Sequence, residues 1–221
     1  MKKCALESFS QTGLPTVRSE AWKYTSLNYL DRIEWSEVTD DYDAGELTWL
    51  MKGDSHRLVF VNGRFNNSLS VIGDLPDGAF IGSLAEALVS QSDLLETYLG
   101  KIANYKDSPL VALNAAHMED GFAILLRNVQ LTKPIEIIHV GRPNGQAVAY
   151  HPRNLVVLDH MSQATILEQF TGAHAGAYFA NSALEIFVDG GSRLQHHRFF
   201  ADGPEAIGVA STGVNVGRDA S

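Results

Sequence analysis

The chain has 221 residues, 45% of them hydrophobic and 19% charged, which is enough to bury a sizeable core without help from disulfides or metals. Its 17 basic residues against 26 acidic ones leave a net charge of −9, which argues against nucleic acid and anionic membrane surfaces as partners. A single cysteine, Cys4, excludes an intrachain disulfide. No apolar run approaches the roughly twenty residues of a membrane helix, and none follows Lys2-Lys3 as a secretory signal requires, so a cytoplasmic protein is expected.

In chain order, residues 1–120 read as a mixed, mainly helical region. Gly13-Leu14-Pro15 forms a turn ahead of an aromatic segment holding Trp22, Tyr24, Leu27, Tyr29 and Leu30. Between Asp31 and Asp54, eight carboxylates (Asp31, Glu34, Glu37, Asp40, Asp41, Asp43, Glu46, Asp54) face only Arg32 and Lys52. This reads as a solvated surface, and the sharper alternative is a docking patch for a basic partner. Leu58 to Val61 followed by Asn62-Gly63 predicts a short strand entering a tight hairpin. Ser83-Leu84-Ala85-Glu86 is a capping box, Asp93 is the expected cap of the next helix with Gly100 ending it, and Ser108-Pro109 opens a helix to His117.

From Asp120-Gly121 onward the helical signal gives way to seven short apolar or alternating runs. They are Ala123 to Leu126, Ile135 to Val140, Leu155 to Leu158, Thr165 to Phe170, Ala183 to Val188, Leu194 to Phe200 and Ile207 to Val216. Residues 121–221 therefore read as all-β: a sandwich, a barrel or a parallel solenoid, among which spacing does not choose. No strict internal repeat is visible. A solenoid stopping just after Val214-Asn215-Val216 exposes an apolar end, so a longer parent chain and self-association through that end are expected.

Motifs that carry chemistry are scarce. Gly100-Lys101 lacks the upstream glycine and the following Ser/Thr of a phosphate-binding loop, no GxGxxG is present, and Gly208 to Gly213 around Ser211 lacks the nucleophile-elbow spacing. His151, His160, His174, His196 and His197 lie in the β half and are expected to be structural or surface residues. Neighbours on a strand point to opposite faces, so His196 and His197 cannot easily chelate together. Asp120, Glu168 and Glu185 are the candidates for an acid/base pair, with surface positions expected for all three. No catalytic or cofactor-binding residue is assigned, no metal site is placed, and Cys4 has no assigned role.

One set of motifs carries a family resemblance. Gly13-Leu14-Pro15, Arg18-Ser19-Glu20-Ala21-Trp22-Lys23-Tyr24-Thr25, Phe60-Val61-Asn62-Gly63-Arg64-Phe65, Leu113 to Ala116 with Asp120-Gly121, Lys133 to His139, and Arg153 to Phe170 resemble in order and spacing the amino-terminal half of SufD-type subunits. These belong to the SufB/SufD family of the SUF iron–sulfur cluster assembly system. The resemblance implies an α+β fold: a mainly helical amino-terminal domain, then the first coils of a right-handed parallel β-helix. It also implies a scaffold that acts with a SufB-type scaffold and a SufC-type ATPase, without turnover by itself, iron or cluster being handled by the complex. Family members are roughly twice this length, and the family's functional histidine and ATPase-docking helices match no position here. Arg18, Glu20, Trp22 and Tyr24 are expected to form a packed aromatic pair with a salt-bridged flank, the alternative being a partner contact.

Two other readings compete. A carbohydrate-active β-helix enzyme needs acids clustered on one face of the coils. A cupin-like metal protein needs converging histidines, and the spacing from His139 to His151 does not resemble its pattern.

Overall fold

A computed structural model describes residues 1–36, 38, 53–106, 108–143, 145–172 and 176–221. Of the acidic stretch, Glu37, Asp40, Asp41, Asp43 and Glu46 lie outside the described residues, as does His174. Asp31 and Glu34 are exposed, and Asp54 pairs with Lys133 in solvent.

The fold is mixed α+β, with a parallel β-solenoid of about three turns. Helix α1 (Lys2–Thr12) is followed by 3₁₀ turns at Glu20–Trp22 and Leu30–Arg32. Strands β1 (His56–Val61), β2 (Arg64–Phe65) and β3 (Ala79–Ser83) precede helices α2 (Leu84–Ser90), α3 (Ser92–Tyr98) and α4 (Pro109–His117). Strands β4 (Phe122–Arg127), β5 (Ile135–Gly141), β6 (Val148–Tyr150), β7 (Arg153–Asp159), β8 (Gln163–Gly172), β9 (Tyr178–Val188), β10 (Arg193–Ala201) and β11 (Ala206–Val216) complete it. Each of the seven expected runs is a strand.

The strands form two sheets, of order β10-β8-β5-β1-β2 and β11-β9-β7-β4-β3, with β6 beside β9, and from β7 onward successive strands alternate between them. Pairing along each stack is parallel from β1 to β5, β8 and β10, and from β4 to β7, β9 and β11. The parallel stack thus draws on both sides of residue 120, because β1 is its first strand in one sheet. The register sets Arg153 beside Ala183 and Gln163 beside Arg193, one coil on. No sequence repeat accompanies this, since an inward position needs only a side chain of suitable size.

Inward-facing Leu58, Phe60, Phe122, Ile124, Ile137, Val156, Ile166, Leu184 and Ile186 form the core between the sheets. Each such side chain contributes on the order of 1.5–3 kcal/mol by leaving water. The middle strands are buried on both faces, because α2 and α3 bring Leu84, Ala87 and Leu95 against Ala123, Leu125, Leu155 and Val157. That two-sided cover explains why β4 and β7 read as continuous apolar runs rather than alternating ones.

Local signals mostly hold. Asn62 and Gly63 take φ of 48° and 78° in the two-residue turn pairing Val61 with Arg64, as the hairpin requires. Ser83 Oγ accepts the Glu86 N–H at 3.0 Å, and Pro109 opens α4. The expected Asp93 cap is corrected: α3 begins at Ser92 after Gln91, whose own N–H still closes α2 on Ala87 O. The two helices abut, so Gln91 serves both ends and Asp93 falls inside the first turn. The packed reading of the aromatic motif is also corrected. Tyr24 is 91% exposed, Trp22 is only partly buried against Leu27, Leu30 and Phe179, and Arg18 and Glu20 are exposed without an ion pair among the described residues.

Candidate functional site

The three candidate acids are not surface residues, and each is drawn inward by a different set of partners. Asp120 stands at the turn into β4, where Oδ1 accepts the Ala85 N–H and Oδ2 the Phe65 N–H, both at 3.1 Å. It thereby completes the amino-terminal cap of α2 and ties it to β2; burial raises its pKa against the opposing pull of those backbone donors.

Glu185 faces outward from β9 under the 99–103 turn. Its carboxylate accepts N–H groups of Gly100 and Ile102 at 2.7 Å and of Ala103 at 3.0 Å, and pairs with Arg153 Nη2 at 2.7 Å. Both members of that ion pair are fully buried, so removal of either strands the other.

Glu168 lies inside the solenoid. Along β8 it shares the inward face with Ala164, Ile166 and Phe170, and the register places Ile137 and Arg198 on either side of it. Its carboxylate meets His139 Nε2 at 3.1 Å, His196 Nε2 at 2.9 Å and Arg198 Nε at 2.6 Å. Burial pushes its pKa up, but hydrogen bonds from the two imidazoles and the nearby positive charges overcome that and hold it well below the carboxylate range. The His139 ring stacks between Phe60 and Phe170, at 5.5 and 4.6 Å, and its Nδ1 and Arg198 Nη2 are buried without a hydrogen-bond partner.

This geometry does not assemble an acid/base pair. Glu168 points into the solenoid from one sheet, Glu185 points out of the other, and Asp120 is occupied by backbone donors. The described histidines do not converge either: His139 and His196 are inside, His197 is on the exposed face of β10, and His151 lies outside the coils beside His117. His160 sits at a coil corner, where it, Asp159 and Asp189 bring ligand-type atoms within 4.8 Å of one another; Arg127 already engages Asp159 at 3.2 Å. Sequence reading named His160 without its aspartates, because only the Leu158–Val188 register brings those two acids together.

A feature with no sequence signal is a cleft of about 660 Å³ between α1, the segment around Trp35, the β1–β2 turn and α4. Its described walls include Trp35, Phe179, His117, His151, Arg64 and Glu119. Arg64 and Glu119 pair across it at 2.9 Å.

Two family models match the chain in tandem: the SufBD protein amino-terminal region over residues 1–137, and the SufBD core domain of SUF system FeS cluster assembly over residues 141–221. The chain belongs to the SufBD family. Among SufBD relatives, an iron–sulfur cluster assembly SufBD family protein of Synechocystis sp. is 28% identical over 217 residues, covering 93% of this chain and 48% of that protein. The iron–sulfur cluster assembly protein SufD of Escherichia coli is 25% identical over 219 residues, covering 98% of this chain and 49% of SufD. A chloroplastic SufBD family protein of Arabidopsis thaliana is 26% identical over 124 residues, covering 54% of this chain and 21% of that protein. The chain thus spans about half the length of the first two relatives.

Proposed function

We propose that this chain is a scaffold component of iron–sulfur cluster assembly, working in the cytoplasm beside a SufB-type scaffold and a SufC-type ATPase, with no turnover by itself. The observation that carries this is the tandem match to the SufBD amino-terminal and core models along nearly the whole sequence. Two features support it. These 221 residues carry no phosphate-binding loop, in keeping with ATP being handled by a SufC-type partner. The buried Glu168 and Glu185, and Asp120 at the cleft wall, are engaged in holding strands and turns together. Iron or a cluster is then cargo of the complex, and the right-handed winding of the stack belongs to the same reading.

One surface suits a protein partner: the segment from Val17 to Tyr24, exposed except at the partly buried Trp22.

The test is co-expression of the tagged chain with the SufB-type and SufC-type proteins of its own source, followed by size-exclusion chromatography. Co-elution of all three supports the proposal. Elution of the chain alone, with the two partners forming a complex without it, overturns it.

A further inference from the structure

The scaffold reading leaves the cleft beside α4 unused. One of its walls is a continuous row of rings: Trp35 lies 6.0 Å from Phe179, Phe179 lies 5.9 Å from His151 edge-on, and His151 lies 5.5 Å from His117. Trp35 is fixed in place by its Nε1–H, which donates to Leu30 O at 2.9 Å. The ring planes are tilted by 45° between Trp35 and Phe179 and by 88° between Phe179 and His151, and Phe179 is only 3% exposed, so a further planar ring can stack on the partly exposed Trp35 but not on the row as a whole.

His151 sets the polarity of that wall. The Asn181 amide nitrogen donates to Leu110 O at 2.9 Å and to His151 Nδ1 at 3.2 Å. An imidazole nitrogen that accepts carries no proton, so the neutral ring bears its proton on Nε2. Burial, with His117 beside it, keeps that ring neutral down to about 3. Nε2–H has no protein acceptor among the described residues, and the ring lines the cleft.

This arrangement narrows the ligand. A metal ion would need a lone pair on Nε2, which this tautomer lacks. A phosphate would need free positive charge, whereas Arg64 is engaged by Glu119, and Asp31 also lines the cleft. The volume of about 660 Å³ falls within the range of small-molecule sites.

We propose that the cleft binds an uncharged planar heteroaromatic ring of nucleobase size, stacked on Trp35, with a ring carbonyl or ring nitrogen accepting the Nε2–H of His151. Neither the assembly role nor its partners enter this inference, so it stands or falls separately.

The test is calorimetric titration of the purified chain with adenosine, uridine and AMP, repeated on His151→Phe and Trp35→Leu. His151→Phe keeps a ring in the row and removes only the donor. The expected result is nucleoside binding to the unaltered chain, weaker binding of AMP, and a loss of about tenfold in His151→Phe, the size of one hydrogen bond. Failure of both nucleosides to bind, or equal binding to His151→Phe, overturns the proposal. Nitrogen NMR of the unaltered chain covers the case in which the variants do not fold. There the nucleoside must shift the protonated His151 Nε2 resonance, and an unmoved resonance counts against the proposal.

Discussion

The segment from Arg18 to Thr25 carries the most recognisable motif of the chain, and all of it except the partly buried Trp22 lies in water, with Tyr24 91% exposed and Arg18 and Glu20 exposed beside it. Strand β8 sits inside the solenoid, and its Glu168 is fully buried in the grip of His139, His196 and Arg198 from the neighbouring coils. A polar side chain in water needs no particular partner. Inside the stack it needs several, because an uncompensated buried charge costs several kcal/mol. Those partners lie about a coil away in sequence and next door in space. A motif therefore reports on sequence neighbours, while burial of charge reports on register.

The contrast breaks most sharply at Glu168. Glu168→Ala leaves Arg198 and His196 without their carboxylate, and denaturant unfolding should show a loss of about 3–5 kcal/mol. A loss below about 1 kcal/mol would mean that solvent screens the network as it does a surface pair. Trp22→Ala comes next, at about 2 kcal/mol, below the roughly 3–5 kcal/mol of a fully buried aromatic because the ring is only partly covered. A loss at the upper end of that range would restore the packed reading of the motif. Ser83→Ala removes the acceptor for Glu86 N–H and should cost about 1 kcal/mol. Tyr24→Ala should fall within about 0.5 kcal/mol of the unaltered chain; a larger loss of melting stability would mean that the ring packs.

Acid sharpens the same comparison. His151 stays neutral in the fold to about 3, whereas an unfolded chain protonates it near 6.5. The unfolded state then binds more protons, so the stability from this ring is complete above about pH 6.5 and is lost progressively towards pH 3. Glu168 is held below its ordinary range, so its contribution is complete above about pH 4.3 and is lost at more acid pH. Stability measured across pH should flatten between about 6.5 and 4.3 in His151→Phe, and only below about 4.3 in Glu168→Gln. An unaltered slope in both variants would contradict the assignment.

What was legible in the sequence follows from the range of the interaction. The seven β runs, the Asn62-Gly63 hairpin and the Ser83 cap depend on residues within a few positions, and all are present. Parallel stacking was not legible from spacing and came only with the family resemblance, because coil pairing leaves no exact repeat. The burial of Glu168 and Glu185 was missed because nothing within several residues of either acid signals it. Arg153 lies a full coil before Glu185, and Gly100 lies farther still. The opposite faces of His196 and His197 were legible, since strand alternation alone fixes them. The cleft was invisible because its rings come from four separate elements.

The central claim is that the coils hold themselves together through buried polar contacts and leave their motif segment to partners. Hydrogen exchange on the chain alone and in the co-purified complex tests it most directly. The account predicts slow exchange in β5, β7 and β8 in both states, with protection gained in the complex over residues 17–25. Fast exchange of β5, β7 and β8 in the free chain, slowing only in the complex, would contradict it.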